Sequence, residues 1–399
     1  MRRFVLFLSA AALAAQPMYH EDKLHGRRAL VLENNLVRVS TLSGGGFIGE
    51  IRFKSPDPRK SVNPMRVPHY QTIDPHTYDM AKHGALYSTG IQRRLMSGYM
   101  GHFLCFPHYG PSSEAELKLD LGQHGEAVAV EWQLDRVEKH KAATTVKLTA
   151  ELPKTHYRVE RSLTLREGES VGYIEESVEN LLLYDRPYSW VQHVTFGPPF
   201  IQPGSSYLDA PVAKVAVRAG AEIKEGSWPE TTDAEGGKVN LRLLPPTPRS
   251  GRMNFLLLDR SRPKVFFTVY NPEFPVLIGY ILESGLNPWI GDWQENQRNA
   301  GVPWDGKVVA RGIEVGNSPW ASGLRRNVEQ GSVFGVPAYG WIEARQRLSQ
   351  SYLFFLAEIP LGYKGVADVR MEDGRIVLVE RETGRTISVK SAGAARKVP

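Results

Sequence analysis

"TTVKLTAELPKTHYRVERSLTLREGESVGYIEESVEN", residues 144–180, decides the fold of this chain. Three runs rich in Val, Ile, Thr and Tyr are separated by short Pro, Gly and Ser punctuation, which is the pattern of consecutive strands joined by turns. The same texture continues through "YSWVQHVTF" (188–196), "MNFLLLD" (253–259), "KVFFTVYN" (264–271), "VLIGYIL" (276–282), "VVARGIEVG" (308–316) and "GWIEARQRL" (340–348). No window carries an amphipathic helix of four turns. The best helical candidate, "PSSEAELKLDL" (111–121), is short. Many strands and almost no helix predict an all-β protein, a large antiparallel sandwich. No fixed-period repeat supports a propeller.

Working outward towards the N-terminus, "EAVAVEW" (126–132) alternates and predicts a strand with Glu126, Val128, Val130 and Trp132 on one side, entered through His124-Gly125. Residues 54–115 are rich in Pro, His, Asp and Tyr without a sustained period, which in a compact domain marks a functional or disordered stretch, and the aromatics argue against disorder. Before it, Gly44-Gly45-Gly46 separates Leu36, Val37 and Val39 from Ile48, Ile51 and Phe53 as a hairpin. "MRRFVLFLSAAALAAQ" (1–16) has the parts of an export signal, with cleavage expected near Ala14 to Gln16 and a periplasmic or extracellular destination. Residues 17–363 are expected to form the sandwich. Asp373-Gly374 and Thr383-Gly384 turns predict a β-hairpin or three-stranded appendage over 364–390, followed by a loose tail over 391–399.

Composition excludes several function classes. With 399 residues, 42% hydrophobic and 23% charged, the chain can bury a large core. Its one cysteine, Cys105, rules out an internal disulfide. The net charge of +6 is spread among interspersed acids, so no basic run marks a nucleic-acid partner. No stretch reaches 18 continuous apolar residues, so no membrane partner is expected once the signal is removed. His102 and His108 flank "FLCFP", and His69, His76 and His83 fall seven apart, but neither set has the spacing of a metal site. Nucleophile-elbow, phosphate-loop and dinucleotide motifs are missing, and no cofactor is expected.

Two strand segments carry chemistry. In "YSWVQHVTF", alternation puts Val191, His193 and Thr195 on one face and Trp190, Gln192, Val194 and Phe196 on the other. In "VVARGIEVG", Glu314 shares its face with Gly312 and Gly316, which is expected to leave open space over the sheet for a ligand.

The glycine hairpin, the His-Gly pair leading to a Trp, the "QH-x-x-F" element (192–196) and the late strand Glu, in that order, resemble the aldose 1-epimerase (galactose mutarotase) family over roughly residues 29–345. The resemblance implies a β-supersandwich with sugar bound on one face of a large sheet. It matches His124 to the family's first histidine, His193 to its second and Glu314 to its catalytic carboxylate, with Arg66 offered in place of a missing arginine segment. Glu126-Ala127 and Val315 depart from the family pattern, so the chain reads as a divergent branch.

The implied chemistry is general acid–base opening of a hemiacetal, with Glu314 as base, His193 as acid and His124 holding the ring-oxygen side. "NPWIGDWQENQ" (287–297), read as a loop, offers Asp292 for a sugar hydroxyl and Trp293 for a sugar face; Trp320 is a second candidate for that face, and His102 and His76 are further lining candidates. Alternatives on the same fold are a non-catalytic carbohydrate-binding protein and a polysaccharide lyase or hydrolase, the last requiring a second carboxylate.

Overall fold

The structure is a computed structural model that describes residues 17–219, 222–232 and 236–395; the export signal expected over 1–16 lies outside the described residues. Two antiparallel sheets face each other. The larger has eleven strands in the order Met18–Leu24, Arg27–Glu33, Val37–Leu42, Ile48–Phe53, His102–Cys105, Val191–Phe196, Val309–Gly316, Trp289–Asn296, Ser250–Leu258, Val212–Ala219 and Glu222–Gly226. The second has eight, in the order Tyr207–Asp209, Lys264–Tyr270, Val276–Glu283, Arg347–Glu358, Val171–Asn180, Tyr157–Arg166, Ala143–Leu152 and Gln133–His140. The three runs of residues 144–180 are therefore adjacent strands of one sheet, each strand paired antiparallel with the next.

Alternation explains how the sheets join. Every second residue of the Tyr157–Arg166 strand (Tyr157, Val159, Arg161, Leu163, Leu165) is buried, while its neighbours are half-exposed. Tyr157, Val159, Leu163 and Leu165 meet Leu32, Val39, Ile51, Leu104, Val194, Ile313 and Val315 of the larger sheet in one core, while Arg161 pairs with buried Glu176. Burying such side chains stabilises by about 1.5–3 kcal/mol each, which lets a chain with a single free, buried cysteine dispense with disulfide bonds.

The opposite face of the large sheet is also covered. Val31, Phe103, Cys105, Val191 and Ala310 pack beneath Tyr78, Tyr87, Leu95, Met96 and Tyr99. The cover comes from the aperiodic 54–115 segment, which folds into two short helices, Met80–Tyr87 and Arg93–Gly98; the first is capped by the Asp79 carboxylate on the Ala81 and Lys82 amides. The short helix Glu114–Lys118 begins with a reciprocal Ser113–Glu116 capping box, as "PSSEAELKLDL" suggests.

The glycine hairpin forms between the strands Val37–Leu42 and Ile48–Phe53. Gly46 has φ of +63°, and a Cβ there would lie 2.6 Å from the Trp132 indole. That contact corrects the reading of "EAVAVEW". Ala127–Ala129 is a single helical turn, and the strand begins only at Gln133. The amides of Glu126 and Ala127 both donate to the Phe106 carbonyl, and the Trp132 indole N–H donates to the Ala127 carbonyl at 2.9 Å. The segment is folded back as a plug beneath the hairpin, so its alternation has no sheet to serve.

Val366–Glu372, Arg375–Glu380 and Thr386–Lys390 form a third, three-stranded sheet. Ile376, Leu378 and Val389 pack on Val171, Phe266 and Phe355 of the eight-stranded sheet, and buried Asp209 accepts from the Val366 amide at 2.8 Å. The segment after it is held more firmly than expected. Residues Ala392–Ala395 make a helical turn whose Ala392 and Gly393 amides donate to Glu169 and to the Tyr173 hydroxyl. The last four residues of the expected tail lie outside the described residues.

Candidate active site

Strand register creates the central pair. The Val191–Phe196 and Val309–Gly316 strands are neighbours, and His193 stands directly opposite Glu314. His193 Nε2 lies 3.1 Å from Glu314 Oε1, with both side chains about 4% exposed or less. The alternation read from sequence holds: His193 and Thr195 share one face, while Gln192 and Val194 point between the sheets, where Gln192 bonds His102 and Val194 enters the core.

The glycines around Glu314 do different work from that expected. A Cβ on Gly312 would sit 3.0 Å from both His193 Cε1 and Trp293 Cε3, and one on Gly316 would strike the Trp190 carbonyl at 2.2 Å. Gly291, which pairs across from Glu314, admits the Tyr109 hydroxyl, 2.4 Å from where its Cβ would be. These glycines make room for neighbouring protein groups and not for a ligand. Through the gap at Gly291, Tyr109 donates a hydrogen bond to Glu314 Oε2. Burial, and then the Glu314 carboxylate, push the Tyr109 phenol well above its ordinary range, so it acts as a donor.

His124 arrives from the turn that precedes the plug. Its φ is +66°, its amide donates to the Gly110 carbonyl at 2.8 Å, and its Nδ1 accepts from the Gly110 amide at 3.2 Å. A ring that accepts at Nδ1 carries its single proton at Nε2. Burial, followed by the neighbouring His193 and His108 rings, holds its pKa well below the usual histidine value, so the ring is neutral. His124 meets His193 edge-on at 5.1 Å between centroids, and Phe103 stacks on His193 at 4.4 Å. His108 supports this corner by accepting from the Gly125 amide at 3.1 Å.

His124, His193 and Glu314 thus converge in one cleft of about 280 Å³. Its walls are Leu95, Met96 and Tyr99 from the 54–115 cover, Trp293 and Met253 from the sheet, and Trp304 and Asn299 from the loop after Asn296. Trp293 and Trp304 meet edge to face at 5.6 Å. Polar groups converging between aromatic walls are the ordinary make-up of a small-ligand site. The larger groove along the eight-stranded sheet, about 750 Å³, is lined by Arg158 and Arg347, whose charges are already matched by Glu151, Glu179 and Glu160.

The remaining candidates separate by face. Residues 289–296 are a central strand and not a loop, so Asp292 and Trp293 point in opposite directions. Trp293 lines the cleft. Asp292 is wholly buried on the other side, bidentate with Arg311 at 2.8 and 3.0 Å and bonded to Asn254 and Gln294, which keeps it out of reach of a sugar in the cleft. His102 also faces the space between the sheets, bonded to Gln192 at 2.9 Å, and burial lowers its pKa to about 3. Trp320 packs against Phe255 at 4.4 Å, away from the cleft. His76 is exposed on the helical turn Pro75–Thr77. Arg66 lies against the Tyr99 and Trp304 rings at 4.4 and 5.3 Å and donates to the Tyr99 carbonyl, buttressing the wall without lining it.

Sequence reading missed Tyr109, Glu295, Trp304, Tyr99 and Gln123. Gln123 adjoins His124 and Glu295 follows Trp293 at the strand spacing of two, which is the signal available for those two; Tyr109 lies far from His124 along the chain. Among the described residues no cluster of His, Cys, Asp and Glu has the arrangement of a metal site.

Solved structures share this fold. A candidate aldose 1-epimerase from Klebsiella pneumoniae subsp. pneumoniae MGH 78578 matches with a TM-score of 0.58 and 14% identity, over 85% of this chain and 83% of that one. A galactose mutarotase-like protein from Clostridium acetobutylicum matches at TM-score 0.54 and 14% identity, over 86% and 99%. A galactose mutarotase related enzyme from Lactobacillus acidophilus matches at 0.52 and 13%, over 83% and 98%. No protein-family model and no curated protein sequence matches the chain. At these identities the likeness is one of architecture: the chain has the galactose mutarotase-like fold.

Proposed function

We propose that this protein is a carbohydrate epimerase that interconverts the anomers of an aldose by acid–base catalysis in the cleft around Glu314. The observation that carries the proposal is the cross-strand pair of Glu314 and His193, 3.1 Å apart at the floor of an aromatic-walled cleft sized for one sugar ring. Glu314 as carboxylate takes the proton from the anomeric hydroxyl. The electron pair of that O–H bond becomes the carbonyl bond, and the bond between the anomeric carbon and the ring oxygen breaks. The ring oxygen receives a proton from the Nε2 of protonated His193. Rotation about the next carbon–carbon bond presents the other carbonyl face, and the reverse transfers close the ring as the other anomer. Neutral His124 carries its proton at Nε2, and that nitrogen and the Gln123 side-chain amide, 3.1 Å apart in the cleft wall, are the polar pair suited to hold a sugar oxygen. Trp293 and Trp304 offer apolar faces to the sugar's C–H surface.

The hydrolase alternative has a specific observation to weigh. Glu295 is a second carboxylate in the cleft wall, bound by the Arg298 and Asn299 amides. It follows Gly291, the partner of Glu314, by four residues on the same strand, roughly 13 Å along the backbone at strand rise. Carboxyl pairs in glycoside hydrolysis stand closer than that, about 5–9.5 Å. With the export signal read over 1–16, we place the activity outside the cytoplasm.

The test is polarimetry with fresh α-anomers of D-glucose, D-galactose and D-xylose, run beside incubation with oligosaccharides. Faster loss of optical rotation with oligosaccharide length unchanged is expected. Shortened or unsaturated products without accelerated mutarotation would replace the proposal with a hydrolase or lyase. Sugar binding without either reaction would leave a binding protein.

A further inference from the structure

His193 uses both ring nitrogens. Nε2 faces Glu314, and Nδ1 lies 3.0 Å from the Thr195 hydroxyl, which is itself 2.8 Å from the Tyr99 hydroxyl. Thr195 is wholly buried and Tyr99 nearly so, so water has little access to stand in for either group. A hydroxyl can donate or accept. When His193 carries protons on both nitrogens, Nδ1 donates to Thr195 and Thr195 donates on to Tyr99. When Nε2 gives up its proton, the neutral ring keeps the Nδ1 proton and with it the bond to Thr195.

We infer that Thr195, oriented by Tyr99, is the positioning residue of His193, keeping Nδ1 paired in both protonation states and leaving Nε2, the nitrogen beside Glu314, as the atom that gives and regains the proton. The inference rests on the acid–base reading of the cleft, because a ring that exchanges its proton at Nε2 needs the other proton held at Nδ1. In the forward step the Nε2 proton passes to the substrate's ring oxygen as its bond to the anomeric carbon breaks. The Nδ1 proton stays on the ring, bonded to Thr195, and on closure Nε2 takes its proton back. Strand spacing supplies the arrangement: residues 193 and 195 share a face, and the position opposite Thr195 is Gly312, which brings no side chain to compete for its hydroxyl.

The experiment compares the full chain with Thr195→Val and Thr195→Ser, using mutarotation of α-D-glucose and ¹⁵N NMR of histidine-labelled protein, with the His193 signals assigned by His193→Gln. Valine keeps the shape and loses the hydroxyl. It is expected to lower kcat about tenfold or more, the worth of a hydrogen bond to an ionisable group, with KM within twofold. It is also expected to move the His193 Nδ1 resonance, and serine is expected to restore both. Parental kcat and an unmoved resonance in the valine variant would overturn the inference, as would a serine variant as impaired as valine. Should the valine chain fail to fold, Tyr99→Phe removes the outer hydroxyl and is expected to move the same resonance; an unmoved resonance there would equally overturn the inference. If the parent chain leaves mutarotation unaccelerated while the resonance responds, the proposed function fails and the Thr195 contact stands, so the two failures are distinguishable.

Discussion

Tyr109→Phe isolates the least expected contact in the cleft. The phenol is wholly buried, does not line the cavity, and meets Glu314 Oε2 with its hydroxyl alone. Phenylalanine keeps the ring, so packing and cavity shape are retained and one hydrogen bond to a carboxylate is lost. Such a bond contributes about 1.5–3 kcal/mol, which converts to roughly 10- to 150-fold at 1.4 kcal/mol per decade. The phenol anchors Oε2, so without it the carboxylate loses the contact that holds its other oxygen towards His193. The assay is kcat and KM for anomer exchange. The expected result is a loss of roughly tenfold or more in kcat, with KM near the parental value. A parental kcat, or a loss carried by KM alone, would refute the idea that Tyr109 positions Glu314.

Other perturbations follow from the same contacts. Gly312→Ala places a methyl 3.0 Å from both His193 and Trp293; it should cost about 1–3 kcal/mol of stability by overpacking and a larger factor in kcat, read by urea melts beside the rate assay, and parental kcat would contradict the fit described here. Asp292→Ala strands the wholly buried Arg311 guanidinium; about 3–5 kcal/mol of stability should be lost while sugar affinity of the folded protein, measured by calorimetry, stays unchanged. Acid should destabilise the fold early. Burial is the leading reason that His102, His108 and His124 all have lowered pKa values, so below about pH 6.5 the unfolded chain binds protons that the folded chain refuses. Each such group removes about 1.4 kcal/mol per pH unit as the pH falls towards its folded pKa, and urea midpoints that stay level from pH 7 to pH 5 would contradict this.

The strands and the two strand-borne site residues were legible because period-two alternation assigns faces directly. His193 and Glu314 meet because their strands are neighbours in register, a fact of pairing that no single strand's pattern contains. Asp292 and Trp293 show how one error of type moves a residue across the sheet. Read as a loop, "NPWIGDWQENQ" lets both face the ligand; as a strand it permits only one, and the buried Arg311 takes the other. "EAVAVEW" alternates just as well as the true strands, yet its Glu126 and Ala127 amides are committed to Phe106 and its Ala129 amide to Glu126, and it becomes a turn. The cleft walls were least legible. Leu95, Met96 and Tyr99 come from a segment with no period, and Trp304 from a loop, so their convergence depends on tertiary packing over the outer face of the large sheet.

The central claim is that Glu314 and His193 exchange protons with an anomeric centre. It is tested most directly by two-dimensional NMR exchange spectroscopy on equilibrated D-glucose and D-galactose, which reads anomer interconversion without added reagents. The parent chain should raise the exchange rate above the buffer value for at least one of these sugars, and Glu314→Gln, equal in size but unable to take a proton, should return it to the buffer value while still folding. Exchange as fast with Glu314→Gln as with the parent would contradict the account.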